Sequence, residues 1–383
     1  MFERTKNLQL SLIKQMEIRA SKYPDVVSLA QGIPSFDTPA GIKRRVENAL
    51  KRGVVAKYSL SPGLPELREL IEIDLARKGM FYDWSKEIVV TAGSIEAIAA
   101  TILALTNPGD EIIVPEPTYA SYKEVITLAG CKPVFVPLDE ERGWALDLEK
   151  ITKAINYKTR AIFYCNPNNP TGTVFGEEDI LALGKLAQKH GFFIISDEVY
   201  KDFVYNDQSV FSLAQMTPLR RNVVRIFSFS KAYAMTGWRV AYLHSDESVV
   251  NEILKVHDAL VTCAPVVSQY AAMGALEMGE RDLNKFKQDY RLRRDLICQR
   301  LDKLDEFFSY VRPSSAYFVF PKIRRGPADS WQLAQELLDK AQVAVVPGIA
   351  FGPSGEGHLR LSFGRSEEDI NRAFDRLERF FGR

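Results

Sequence analysis

Through the middle of the chain, short apolar runs alternate with stretches of helical periodicity, and this alternation limits the fold more than any other feature. The runs lie at 87–91, 111–114, 133–136, 160–165, 192–196, 223–227 and 240–244. Several are unbroken rather than alternating, the pattern of strands covered on both faces. Helical patterns at 94–105, 119–129, 148–155 and 177–190 separate most of them. Strand–helix alternation of this kind implies an α/β fold with a mainly parallel sheet flanked by helices. In such sheets, ligands bind outside the carboxyl ends of the strands.

From about residue 281 the texture changes. A long charged helical stretch runs to about 305, with Arg291, Arg293 and Arg294 set against Asp289, Asp295 and Asp302, as on a solvated face. Strand-like runs at 316–320 and 343–346 bracket a helix near 331–340. A strand at 358–363 and a final amphipathic helix close a smaller α+β domain. The expected division is a large domain over 45–280 and a small one over 281–383. An N-terminal segment, 1–44, with an amphipathic stretch at 8–18, is expected to pack with the small domain. A chain of 383 residues is long enough for two cores.

Bulk properties exclude more than they assign. Lys plus Arg number 50 against 49 Asp plus Glu, which gives no reason to expect a nucleic-acid or membrane-surface partner. Cys131, Cys165, Cys263 and Cys298 form no CxxC pair and no zinc-like spacing, as in a reducing compartment. Residues 1–6 are charged, with no apolar stretch behind them to serve as a signal peptide. The apolar run at 97–105 is too short to cross a bilayer, and the segment 260–276 is interrupted by Pro265, Ser268 and Gln269. The expectation is a soluble, cytoplasmic protein. His190, His244, His257 and His358 lie in no metal-ligand or triad-like arrangement, so no metal is expected. Neither GxGxxG after a strand nor GxxxxGK[ST] occurs, which removes dinucleotide and P-loop readings.

The chemistry concentrates where strands end. Lys231 follows the run 223–227 in the context Ser228-Phe229-Ser230-Lys231, with Gly237-Trp238-Arg239 downstream. A lysine held out of water loses its proton more easily and becomes a nucleophile, and Arg239 with the two serines places it beside an anion site. Asp197 ends the run 192–196 and is followed by Glu198-Val199-Tyr200. A carboxylate at the mouth of a buried strand needs a partner; an N-cap role is the ordinary alternative. The heptapeptide Asn166-Pro167-Asn168-Asn169-Pro170-Thr171-Gly172 makes a rigid turn that fixes Asn169. Gly93-Ser94 opens a helix, whose N-terminal amides suit a phosphate, although Ser94 also reads as a plain N-cap. Arg360, on a strand with His358 and Ser362 on its face, is either an exposed strand arginine or a bidentate carboxylate partner. A lysine, an aspartate for a ring nitrogen and a phosphate anchor are what pyridoxal phosphate asks of a protein.

Together these motifs resemble the class I/II aminotransferases, fold-type-I enzymes of the aspartate aminotransferase superfamily. The likeness runs from Leu29-Ala30-Gln31-Gly32-Ile33-Pro34 to Gly357-His358-Leu359-Arg360. It implies that Lys231 binds pyridoxal 5'-phosphate covalently and shuttles a proton, and that Asp197 pairs with the pyridine nitrogen. Asn169 and Tyr200 would bond the phenolate oxygen, and Tyr119 would stack on the ring. Gly93, Ser94, Ser228, Ser230 and Arg239 would hold the phosphate, joined by Tyr58 from the neighbouring subunit of a homodimer. Gly32, Asn169 and Arg360 would take the α-carboxylate of the substrate. Aspartate-specific members of this subgroup carry a lysine just after the phosphate-loop pair, and here that position is Ile95. The segment Ser230-Lys231 through Met235-Thr236-Gly237-Trp238-Arg239 resembles aromatic and neutral amino acid aminotransferases. The implied reaction moves an amino group from such an L-amino acid to a 2-oxo acid such as 2-oxoglutarate, by a ping-pong mechanism. A carbon–sulfur β-lyase on the same scaffold is the alternative. A pyridoxal-phosphate-sensing regulator would need a DNA-binding domain ahead of Gly32, for which the sequence leaves no room.

Overall fold

The computed structural model describes residue 5, residue 8 and residues 10–382 apart from 207 and 328. Most of the charged opening read at 1–6 therefore lies outside the described residues. Seven strands form one sheet: β1 (Ile88–Thr91), β2 (Glu111–Glu116), β3 (Lys132–Pro137), β4 (Thr159–Cys165), β5 (Phe193–Asp197), β6 (Val223–Ser228) and β7 (Ala241–His244). Their order across the sheet is β1-β7-β6-β5-β4-β2-β3. Only β7 runs antiparallel to its neighbours, so the other six share one direction. The unbroken apolar runs have the cause the sequence suggests: every residue of β1, β6 and β7 is buried. Edge strand β3 begins and ends on exposed residues, Lys132 and Pro137, which keeps its open side from pairing.

The helices between the strands follow the expected periods. Ser94–Leu105 and Glu177–His190 start and stop as read. The latter has Glu177, Glu178 and Asp179 in its first turn, Lys189 and His190 in its last, and Gly191 at φ +74° as its cap. The helix expected over 119–129 is shorter, Ser121–Leu128, because the chain after Pro117 is engaged elsewhere: the Thr118 amide donates to the Phe351 carbonyl at 2.8 Å. Tyr119 therefore sits in the loop ahead of the helix. The charged helix runs over Arg281–Asp302. Pro265 separates the helices Glu247–Val261 and Val266–Glu277, and no helix among the described residues is long and apolar enough to cross a membrane.

The C-terminal region builds a three-stranded antiparallel sheet from Phe318–Val319, Leu359–Ser362 and Val346–Pro347. The helices Ser330–Ala341 and Glu367–Phe380 accompany it, capped by Asp329 and Ser366. One expectation is corrected here. The apolar run at 343–346 is not one strand: Val343–Ala344 pairs in parallel with Val27–Ser28, and only Val346–Pro347 joins the sheet of Arg360. The N-terminal helix Leu12–Ala20 packs against both short strands.

Candidate active site

The loops that leave the carboxyl ends of β1, β2, β4, β5 and β6 meet around a cavity of about 310 Å³. Its lining includes Gly32, Ser94, Tyr119, Asn169, Asp197, Tyr200, Ser228, Ser230, Lys231, Arg239 and Arg360. Residues picked from positions as far apart as 32 and 360 are thus brought to one place.

Lys231 lies in the one-turn helix Phe229–Ala232 directly after β6, not in a loop. Its Nζ donates to the Gly32 carbonyl at 2.7 Å, and the Tyr317 hydroxyl donates to the same oxygen at 3.1 Å. Burial of the amine pushes its pKa down to about 8, and the nearby charges of Arg360 and Arg239 act in the same direction. Asp197 is the last residue of β5, and no helix follows for it to cap. Its Oδ2 accepts from the Tyr122 hydroxyl at 2.7 Å and its Oδ1 from the Val199 amide at 3.2 Å. Burial raises its pKa to about 6, against the pull of those two hydrogen bonds. At neutral pH it remains mostly a carboxylate, although a strained one.

Arg360 is 2% exposed, so the reading as an exposed strand arginine fails: all four residues of its strand are buried. Its Nη1 donates to Asn169 Oδ1 at 3.2 Å and its Nη2 to the Ala30 carbonyl at 2.5 Å, while the buried Nε has no partner. The guanidinium rests over Phe318 and Phe351, at 4.4 and 4.9 Å from the ring centroids. Burial lowers its pKa to about 10. Such a cation, walled in and short of acceptors, suits a carboxylate ligand. Asn169 also donates to the Tyr200 hydroxyl at 3.4 Å, and burial drives that phenol well above its ordinary pKa.

Elsewhere in the lining, a helix N-terminus and a guanidinium stand together. Gly93 is the N-cap of Ser94–Leu105, so Ser94 is the first helical residue and not the cap. The Gly93 amide donates to the Thr91 carbonyl at 2.8 Å. What Gly93 provides is space. Its φ is +89°, and a Cβ there would fall 2.3 Å from Arg239 Nη2. The guanidinium can stand beside the helix N-terminus only because that atom is missing. Ser228 and Ser230, whose hydroxyls are 2.9 Å apart, complete the group. A buried lysine, a buried carboxylate and a guanidinium beside a helix N-terminus, all around one cavity, fit the covalent, ring-nitrogen and phosphate needs of pyridoxal phosphate.

Tyr58 is the exception. It is 85% exposed, away from the cavity, in a depression with Val55, Ala56 and Lys57 and residues 263–267. Among the lining residues that the sequence does not single out are Tyr122, Cys165, Lys14 and Glu17. Tyr122 stands three residues after Tyr119 within the helix expected over 119–129, and that spacing is a signal for it. Cys165 precedes the Asn166–Gly172 turn, whereas Lys14 and Glu17 come from the N-terminal helix and carried no local signal.

Residues 24–377 match the family described as aminotransferase class I and II. The aspartate aminotransferase of Pyrococcus abyssi is 35% identical over 379 residues, covering 97% of this chain and 97% of the relative. The aromatic-amino-acid aminotransferase 2 of Thermococcus litoralis is 34% identical, also over 97% of each chain. The solved structure of the aspartate aminotransferase of Thermus thermophilus with maleate superposes with a TM-score of 0.94 at 33% identity, over 99% of both chains. The chain belongs to the class I and II aminotransferases, enzymes that depend on pyridoxal phosphate.

Proposed function

We propose that the enzyme transfers the amino group of a neutral or aromatic L-amino acid to a 2-oxo acid such as 2-oxoglutarate, in two ping-pong half-reactions. Relatives named for aspartate and for aromatic amino acids stand at nearly equal identity, so the choice of donor rests on the cavity. The observation that carries it is the meeting of Lys231 and Arg360 in one cavity whose walls include Ile33, Ile95 and Ile98. Arg360 offers a clamp to the carboxylate every amino acid has, and the isoleucines offer an apolar side chain a wall and a second carboxylate nothing.

Bound pyridoxal phosphate supplies the electron sink that lets the α proton of an amino acid leave. Lys231 would anchor it, with Ser94, Ser228, Ser230 and Arg239 around the phosphate and Gly93 leaving them room. Asp197 would face the ring nitrogen, Asn169 and Tyr200 the phenolate oxygen, and Tyr119 the ring face. Tyr122 and the Val199 amide keep Asp197 ionised against the cost of burial. Arg360 fixes the substrate by its carboxylate, so that the α carbon is presented to one side of the site. Lys231 Nζ, basic yet easily freed of its proton, would take the α proton and pass it on, since returning it to the α carbon would undo the step.

A panel of amino donors against 2-oxoglutarate tests this reading. Neutral or aromatic donors are expected to match or exceed aspartate, and a wide margin for aspartate would overturn it. Pyruvate and ammonia formed without any acceptor would mean β-elimination instead. Arg360→Leu should lower kcat/KM for all donors alike, about 100-fold, the scale of a lost charge-assisted pair.

The same reading takes 45–280 as the cofactor domain and 281–383 as the small domain of a cytoplasmic homodimer. The pairing of Val27–Ser28 with Val343–Ala344 supports grouping 1–44 with the small domain. Tyr58, Leu60 and Leu260 are 85%, 63% and 51% exposed, and a Ser61–Asp258 hydrogen bond of 2.6 Å joins the two segments that bear them. An exposed apolar group of this kind suits a second copy, which would receive Tyr58 at its phosphate cradle. Mixing Lys231→Ala and Tyr58→Ala proteins under subunit exchange should restore activity, since one site per mixed dimer carries neither defect. Mixed dimers detected by mass spectrometry without restored activity would show that Tyr58 does not act across the interface.

A further inference from the structure

Among the described residues, four basic side chains line the cavity: Lys14, Lys231, Arg239 and Arg360. Three have evident tasks. Lys231 faces Gly32, Arg239 stands at the helix N-terminus beside Gly93, and Arg360 is held by Asn169 and the Ala30 carbonyl. Lys14 is left over. It projects from the helix Leu12–Ala20, and Ser11 caps that helix by accepting from the Lys14 amide. Its Nζ lies 2.6 Å from Glu17 Oε2, one turn along, and both residues line the cavity. The helix packs on the strand Val346–Pro347, whose neighbour carries Arg360. Glu17 stands close enough for its charge to favour the arginine's protonated form.

An acceptor such as 2-oxoglutarate brings two carboxylates to a site where a neutral donor brings one. Arg360 serves the first. The isoleucine walls give the second no counter-charge, and an unpaired carboxylate left against them is costly. The Lys14 side chain is 63% exposed and that of Glu17 20%, so their pairing is a weak, solvent-screened one. A lysine carries its ammonium on a flexible four-carbon stem and can redirect it at little cost.

We propose that Lys14 receives the distal carboxylate of dicarboxylic substrates, and that Glu17 holds Lys14 when the substrate has no second charge. This rests on the aminotransferase reading above and deepens it. One cavity then serves an apolar and a dicarboxylic partner in turn, by exchanging one carboxylate for another on a single lysine.

The test compares 2-oxoglutarate with the monocarboxylic acceptor phenylpyruvate in the holoenzyme. Lys14→Met should lower the ratio of their kcat/KM values about 10- to 100-fold, the worth of one charge-assisted hydrogen bond, mainly through KM. Lys14→Arg should restore much of that ratio, and Glu17→Gln should raise it above wild type. Maleate and 3-phenylpropionate cannot exchange an amino group, so their binding, followed by cofactor absorbance, reads the same preference without turnover. Lys14→Met should weaken maleate selectively. An unchanged ratio in both assays, or equal losses for mono- and dicarboxylates, overturns the proposal. A wild-type protein that transfers no amino group to either acceptor overturns the aminotransferase reading instead, and the maleate titration still decides the role of Lys14.

Discussion

Lys231→Ala protein is expected to bind pyridoxal phosphate through the phosphate cradle and to turn over no substrate. The loss should be on the order of a millionfold, the scale seen when a group that acts as a unit with its site is removed. Two functions disappear together, the covalent anchor and the base that moves the α proton. Borohydride treatment of the wild-type holoenzyme should fix the cofactor to the peptide that contains Lys231; label on another lysine would overturn the assignment. The depressed pKa of about 8 adds a pH test. Only the unprotonated amine attacks, so capture of cofactor by the apoprotein should be slow below that pH and level off above it. An ordinary surface lysine, titrating near 10.5, would still be accelerating at pH 10.

Asp197→Asn should fold normally and lose about three powers of ten in kcat. A charge-assisted contact in a desolvated site is worth several kcal/mol, and each 1.36 kcal/mol is about tenfold in rate. Activity within a few-fold of wild type would mean that the wrong carboxylate has been chosen. Tyr122→Phe provides a graded companion. Its hydroxyl donates to Asp197 at 2.7 Å and favours the ionised form, so removing it should raise the Asp197 pKa further above about 6. The acid limb of the activity profile should move to higher pH, with a loss of about tenfold at neutrality. A variant whose rate falls with no shift of that limb would show Tyr122 to be packing alone.

The large sheet was legible because a strand covered on both faces must be apolar throughout, and residues such as Ile194 and Ile195 leave no other reading. Lys231, Asp197 and Asn169 could be picked out because each is a polar group set directly after such a run. Short elements were less legible for a physical reason. Residues 343–347 are apolar without break, and nothing local says that Val343 pairs with Val27 while Val346 pairs with Arg360. The burial of Arg360 was hidden for the same cause: its cover, Phe318 and Phe351, comes from other segments. Lys14 and Glu17 look like an ordinary helical ion pair until the fold turns them toward the cavity. Tyr58 is intelligible only by its likeness to the family, since its surroundings within one chain explain nothing about it.

The parallel pairing of Val27–Ser28 with Val343–Ala344 also orders events during synthesis. All seven strands of the large sheet, with Asp197 and Lys231, have been made once residue 244 has left the ribosome. The strand Val27–Ser28, made before the sheet, must then wait for Val343–Ala344, which is made only after the whole sheet. Non-local contacts of such separation form late because the loop they close is so long. A nascent chain therefore possesses Lys231 and Arg239 before it possesses Arg360. Under the proposed roles, the reactive amine is made before the clamp that would make it selective.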